Sequence, residues 1–214
     1  LSYLRDERAL ARLVGAPVPN PDEESFATAM DLCSVQSPKD AYRNAKQLFV
    51  QCLEVQRSPN SVVFASLLRA ACVGDDKRGL EEVRDLLRQH QVLITAGMQT
   101  KMLRGFVDAG RREARVTRVA AESAESLVRW LARQAGEHIE APDKSAYNIV
   151  FEAWGASGAF NACEKIEGLY NFMTESRPDL GPADVNWEHA VHACRTSGAD
   201  PAQAEAVVAF LRGQ

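Results

Sequence analysis

The chain has no long run of apolar residues and no excess of positive charge. No stretch approaches the roughly 20 apolar residues that a bilayer-spanning helix needs, so the sequence predicts no transmembrane segment. Of the 214 residues, 25 are Lys or Arg and 29 are Asp or Glu, which gives a formal net charge of −4. Phosphate contacts require clustered basic side chains. The acidic balance therefore argues mildly against a dedicated nucleic-acid binder, although it leaves room for a local basic stripe.

The residue patterns that usually carry catalysis or bind a cofactor are also missing. No Lys-Ser or Lys-Thr follows a glycine-rich turn, so no phosphate-binding loop is predicted. His189 and His192 lie three residues apart near Cys194, but no second cluster completes a tetrahedral metal site. No paired carboxylates or catalytic triad stand out. We therefore expect a protein that is not an enzyme and that holds no cofactor and no metal.

Cysteine is scarce, and its number is odd. The five residues are widely spaced and fall inside apolar helical patterns: Cys33, Cys52, Cys72, Cys163 and Cys194. This distribution is typical of reduced, buried thiols and not of a disulfide framework. No histidine is placed consistently near them, so no catalytic cysteine is predicted.

Convincing strand patterns are absent as well. Only residues 62–64 and 92–95 are β-like, and both runs are short. Proline and glycine instead punctuate a series of helical periods, so the fold class is predicted to be all-α. Residues 1–20 are predicted to form a short helix and a proline-rich connector, and residues 21–214 a single helical-repeat domain.

What the chain does contain is an internal repeat. Each unit opens a short apolar helix, often with an aromatic, and a second amphipathic helix follows. A helix pair cannot bury its own apolar face, so the pairs are expected to stack into a solenoid. The opening residues lie at intervals of 38, 35, 48 and 40 residues: Phe26, Phe64, Gln99, Tyr147 and Trp187.

In the last three units a glycine follows the opening residue by eleven positions and is predicted to close the first helix: Gly110, Gly158 and Gly198. The second helices are predicted at residues 41–56, 78–91, 111–136, 162–175 and 201–212. The third of these is unusually long, near 40 Å if unbroken at 1.5 Å per residue. It is expected either to reach beyond the repeats or to bend around the next unit.

A basic stripe occupies the start of that long helix. It consists of Arg111, Arg112, Arg115 and Arg118, and Lys101 and Arg104 come shortly before it. One interpretation is a contact with RNA, an acidic partner protein or lipid phosphate. The other is a solvated face balanced by acidic residues at helical spacing, which are Glu113, Glu122 and Glu125.

These units resemble the pentatricopeptide-repeat family. Pro142–Gly158, with its Pro-Asp turn and Tyr-Asn opening, is similar to the first helix of such a unit, and Leu169–Met173 to the end of the second helix. Ser58–Cys72 is a fair match and Pro21–Cys33 a weaker one. Tetratricopeptide repeats are the neighbouring possibility. The resemblance covers about Pro21 to the end and implies a right-handed α-solenoid of about four to five stacked helix-turn-helix repeats.

The resemblance also implies an organellar protein, mitochondrial or plastid, that binds single-stranded RNA one base per repeat. A polar residue just after the opening residue would read the base together with the last residue of the unit. Alanine cannot hydrogen-bond a base edge, and it occupies this position in the first two units. The candidates that remain are Thr100 with Asp143, and Asn148.

Two functions are therefore expected from the sequence. The first is a non-catalytic scaffold or adaptor subunit of a larger organellar complex, which binds partner proteins through its solenoid surface. The alternative is single-stranded RNA binding in organellar RNA processing or translation. An enzyme subunit whose active site is supplied elsewhere is a remote third. The chain begins at Leu1 and not at methionine, so any targeting signal is expected upstream.

Overall fold

The computed structural model describes residues 21–55, 59–74, 76–112 and 118–196, together with positions 202, 205 and 209; the side chains of residues 108–112, 193 and 196 are not described. The predicted amino-terminal helix and connector lie outside these ranges. In the described part the chain forms nine α-helices: α1 Glu23–Gln36, α2 Ala41–Val55, α3 Ser61–Val73, α4 Lys77–His90, α5 Ala96–Arg112, α6 Arg118–Gln134, α7 Lys144–Ser157, α8 Ala162–Ser176 and α9 Trp187–Thr196. The all-α prediction is confirmed.

Four of these helices begin at a side chain that caps the backbone. Asp22, Asp76 and Asp143 each accept a hydrogen bond from the N–H group three residues ahead, at 2.8, 2.8 and 2.9 Å. Asn60 accepts from the N–H two residues ahead at 2.9 Å. Such caps satisfy N–H groups that lack a partner in the first turn. The Pro-Asp and Pro-Asn pairs of the repeat are thus helix start signals.

Helix ends follow the sequence less closely. Gly158 closes α7 with a φ of 61°, in the left-handed region that glycine adopts without strain. Gly110, in contrast, does not end its helix, because α5 continues to Arg112. Gly198 lies outside the described residues. The prediction of a closing glycine is therefore confirmed at Gly158 and wrong at Gly110.

The prediction of one long helix over residues 111–136 is wrong. Arg111 and Arg112 belong to α5, while α6 begins at Arg118 and spans 17 residues, about 25 Å at 1.5 Å per residue. The two helices pack against each other, so they form a hairpin. The other second helices, α2, α4 and α8, lie within two residues of their predicted bounds. Positions 202, 205 and 209 are helical, and the rest of the predicted fifth second helix is not described.

The helices contact one another in serial order. The first helices α1, α3, α5, α7 and α9 form one row in which each packs against the next. The second helices α2, α4, α6 and α8 each pack against the first helix of their own unit, and α2, α6 and α8 also touch the first helix of the following unit. None of the helices in the described ranges combines the length and the apolarity that a bilayer crossing requires.

The core lies between the two sets of helices. The opening residues of the first four units are all buried: Phe26, Phe64, Gln99 and Tyr147. The side chains that define the repeat therefore lie in the interior. Helix α7 is buried on nearly every side, because α5, α6, α8 and α9 surround it. This explains why its sequence is apolar all round and not amphipathic.

An isolated β-bridge ties two connecting segments together. Ile94 N–H donates to the His138 carbonyl at 2.9 Å, and Glu140 N–H donates back to the Ile94 carbonyl at 3.0 Å. The β-like run at residues 92–95 thus contributes one bridge, and the described residues contain no named strand. The bridge holds the start of α5 beside the segment that leads into α7.

One pair of cysteines departs from the prediction of free thiols. Cys163 in α8 and Cys194 in α9 form a disulfide, with Cα atoms 4.4 Å apart. Cys33, Cys52 and Cys72 form no disulfide, and the last two are buried as predicted. The pairing depends on how α8 and α9 meet beside α7, which spacing along the chain does not reveal.

Candidate functional site

Asn148, a candidate for base reading, connects two consecutive units of the protein itself. Its Nδ2 donates to the carbonyl of Asp184 at 2.7 Å, and its Oδ1 accepts from the backbone N–H of Asn186 at 2.7 Å. The Asp184 carbonyl and the Asn186 N–H both lie in the segment that leads into α9. The side-chain amide of Asn148 therefore positions α9, the first helix of the last unit. The amide oxygen already has a hydrogen-bond donor within the protein.

The other two candidates are also used within the protein. Thr100 Oγ1 donates to the Ala96 carbonyl one helical turn earlier, at 3.0 Å. Asp143 caps α7 by accepting from the N–H of Ala146 at 2.9 Å. The hydroxyl of Thr100 and one carboxylate oxygen of Asp143 are thus engaged in local structure.

A further repeat position carries an ionisable side chain in every unit, at the fifth residue after the opening residue. We call this set the charge ladder; it consists of Asp31, Arg69, Arg104, Glu152 and His192. Arg69 Nη2 lies 3.0 Å from Asp31 Oδ1 and so joins α3 to α1. Arg104 Nη1 lies 2.6 Å from Glu152 Oε2 and joins α5 to α7. The ladder thus links neighbouring first helices by ion pairs.

Burial sets the electrostatics of the first pair. Removal of Asp31 from water raises the pKa of its carboxyl, and the attraction of Arg69 offsets this only in part. Burial likewise lowers the pKa of Arg69, opposed by Asp31. Asp31 Oδ1 is close to the guanidinium but accepts no aligned hydrogen bond. The ion pair between Asp31 and Arg69 therefore serves mainly to cancel the two charges and contributes little to the stability of the fold.

A small cavity opens beside Arg69 on the row of first helices. Its volume is about 160 Å³, and its walls are mostly apolar, with Arg69, Asp31 and the exposed Lys101 contributing charge. The sequence grouped Lys101 and Arg104 with the basic stripe. They instead face the row of first helices, where Arg104 pairs with Glu152.

The predicted basic stripe does not lie on one helix. Arg111 and Arg112 end α5 and have no described side chains, and Arg115 lies outside the described residues. Arg118 begins α6; its Nε donates to Glu122 Oε1 at 2.7 Å, and its guanidinium lies 5.8 Å from the centre of the Phe160 ring. Of the four arginines, Arg118 alone has a described side-chain environment.

Sequence reasoning missed the apolar surface next to Arg118. Phe160 is 73% exposed in the turn between α7 and α8, and Val119 is 63% exposed. We call Arg118, Val119 and Phe160 the second-helix patch. Beside it lies a cavity of about 380 Å³ whose lining includes Val119, Glu122 and Lys165. The signal available in the sequence was an aromatic directly after the glycine turn Gly158-Ala159.

Glu125 has a role other than balancing the stripe. It is buried, accepts from Trp154 Nε1 at 3.0 Å and pairs with Arg129 Nε at 2.7 Å. Arg129 also donates to the Gly168 carbonyl at 3.1 Å, and its guanidinium lies 4.6 Å from the centre of the Phe172 ring. This network joins α6 to α7 and α8 and is structural.

The histidine pair offers no assembled metal site in the described residues. Cys194 is bonded to Cys163. The described ranges contain no group of three His, Cys, Asp or Glu residues arranged to hold an ion.

Comparison with protein families and with curated proteins finds no match. No protein-family model matches the chain, and no curated protein resembles it in sequence. The interpretation of the surfaces described above therefore rests on the residues themselves.

Proposed function

We propose that this protein is a non-catalytic scaffold or adaptor, a pentatricopeptide-like right-handed solenoid that serves as a subunit of a larger mitochondrial or plastid assembly. One observation carries the proposal: Asn148, a candidate for base reading, already holds one unit to the next. Both of its hydrogen bonds go to the segment before α9.

The charge ladder supports the same choice. Binding of the RNA backbone requires cations whose charge is available to phosphate. On the row of first helices, Arg69 and Arg104 are instead paired with Asp31 and Glu152. A face whose charges are paired in this way suits contacts between units, in which the ion pairs between first helices fix the order of the units.

The second-helix patch is the surface that we assign to a protein partner. Exposed aromatic side chains and arginine are enriched where proteins bind one another, because they combine large contact area with directional polar groups. Phe160 and Val119 supply the apolar area, and Arg118 stacks above the ring. Arg111, Arg112 and Arg115 precede the patch along the chain, and this basic sequence favours an acidic partner.

Site-specific crosslinking tests this assignment. A photoreactive phenylalanine analogue at position 160, expressed in the source organelle, should crosslink to one or two defined protein subunits. The matched control places the same analogue at Val50, which is 48% exposed on α2. Crosslinks from position 160 that match those from position 50, or none at all, would count against the patch.

The small cavity beside Arg69 supports RNA binding as the second candidate. The exposed Lys101, next to Thr100 in the chain, lines this cavity and pairs with no carboxylate among the described residues. A gel shift with organellar single-stranded RNA at physiological salt decides between the two functions. If the protein binds RNA tightly and in a salt-sensitive way, and Lys101→Glu abolishes this binding, RNA binding replaces the scaffold proposal. If binding is weak and Lys101→Glu does not change it, the result supports the scaffold.

A further inference from the structure

The last described helix is fixed at its two ends by different means. At its start, Asn148 holds the preceding segment, and the Trp187 ring lies 5.5 Å from the Tyr170 ring. Near its end, Cys194 is bonded to Cys163 of α8. A covalent bond thus secures the end of α9 that lies farthest from the hydrogen-bonded turn.

We propose that Cys163 and Cys194 form a redox switch: the disulfide keeps α9 docked on α7 and α8, and reduction releases the carboxyl-terminal part of α9. This inference does not depend on the scaffold function.

The described side chains that bury α9 are few and small, which is why the bond matters. The helix has ten residues, a length that is marginal for an isolated helix, and it packs against α7 and α8. Its fully buried side chains, among those described, are Ala190 and Cys194. Trp187 is partly buried. In the last turn the described buried side chain is Cys194 itself, so the disulfide is the anchor that the structure describes there.

The chemistry balances with a small-molecule disulfide as oxidant. The Cys163 thiolate attacks one sulfur of oxidised glutathione, which breaks its S–S bond and forms a mixed disulfide. The Cys194 thiolate then displaces the second glutathione and completes the protein disulfide. Two electrons pass to glutathione, and the two thiol protons end on two molecules of reduced glutathione. Reduction reverses these steps.

Burial couples this chemistry to the position of α9. Cys163 is 5% exposed and Cys194 is 1% exposed, so glutathione reaches neither sulfur while the helix stays docked. Exchange must wait until α9 opens locally. The three cysteines outside the disulfide lie in α1, α2 and α3, within the first two units.

Hydrogen–deuterium exchange on the full chain tests the proposal. The protein is equilibrated with oxidised or reduced glutathione, peptide mapping identifies the bond, and exchange is followed in the α9 peptide. We expect α9 amides to exchange about tenfold faster or more after reduction, with α1–α3 unchanged. The double variant Cys163→Ala/Cys194→Ala should show the fast rate in both buffers, while Cys52→Ala/Cys72→Ala should still respond.

Three results would overturn the switch. The first is that peptide mapping after oxidation finds no Cys163–Cys194 bond. The second is equal α9 exchange in the two redox states. The third is a bond that persists in about 10 mM reduced glutathione, because it would then be a permanent crosslink.

Discussion

Trp154 donates its indole N–H to Glu125 Oε2 across 3.0 Å, in the interior between α7 and α6. The same carboxylate binds Arg129 through its other oxygen at 2.7 Å. A single buried acid therefore satisfies two donors from different helices. Its removal leaves both without their acceptor, so its effect should exceed that of an exposed ion pair.

We predict that Glu125→Ala lowers the free energy of unfolding by about 3 kcal/mol, since it leaves the Arg129 charge and the Trp154 N–H unpaired in a buried site. Urea denaturation followed by Trp fluorescence measures the change. Glu122→Ala is the matched control, because its pair with Arg118 is exposed and is expected to contribute about 0.5 kcal/mol. Equal effects of the two substitutions would contradict the structural role of Glu125.

Gly155 marks the closest approach between α7 and α9. A Cβ at this position would lie 2.8 Å from the His189 carbonyl oxygen, so Gly155→Ala should push α9 away at a cost of about 1–3 kcal/mol. Gly97→Ala, in α5, has open space around the new methyl group and should leave stability unchanged or slightly higher. Thermal unfolding of the two variants checks the difference, and a Gly155→Ala protein as stable as the parent would refute this packing.

Asn148→Ala should destabilise the protein by about 1–3 kcal/mol, because it removes hydrogen bonds to Asp184 and Asn186. Asn148→Asp keeps the acceptor but loses the donor, so it should fall between. Chemical denaturation gives the stabilities, and a gel shift gives RNA affinity for the same proteins. A base-reading residue would behave in the opposite way, with RNA affinity lost and stability retained.

Two carboxyls should give opposite pH dependence. Hydrogen bonds from Lys46 and Tyr42 lower the pKa of Glu82 below its ordinary 4.5, so its stabilising contribution is present above that value and is lost as the pH falls. Burial raises the pKa of Asp31 above 3.8, so its contribution is present below that value and is lost as the pH rises.

Unfolding free energies measured from about pH 3 to pH 6 test this contrast. Glu82→Gln should flatten the rise of stability with pH, whereas Asp31→Asn should make the rise steeper. Slopes that change in the same direction for both variants would show that one of the two pKa shifts has the wrong sign.

The local parts of the fold were predictable from sequence, because their causes are local. Asp143 caps α7 through an N–H three residues away, and Gly158 ends that helix by its own backbone freedom. Periodicity then placed α2, α4 and α8 within two residues. Gly110 failed as an end signal because α5 continues through it, and a glycine within a helix lowers its stability without stopping it.

The features that were missed depend on contacts between units. Cys163 and Cys194 are 31 residues apart, and only the meeting of α8 and α9 brings them together. Asn148 was a candidate base reader from its position in the repeat, and that position does not reveal its hydrogen bond to a turn 36 residues later. Phe160 received no role from the sequence, which does not show that its side chain is exposed.

The order of positive and negative side chains along the charge ladder affects how the helices respond to an external force. Asp31 attracts Arg69 and Arg104 attracts Glu152, but between these pairs two arginines succeed each other, on α3 and α5. Gly105 leaves room there for the Arg69 side chain, and the small cavity opens at the same junction. We expect the contact between α3 and α5 to yield first when an external force acts on the protein, so that the helices before this contact and those after it move as two separate units.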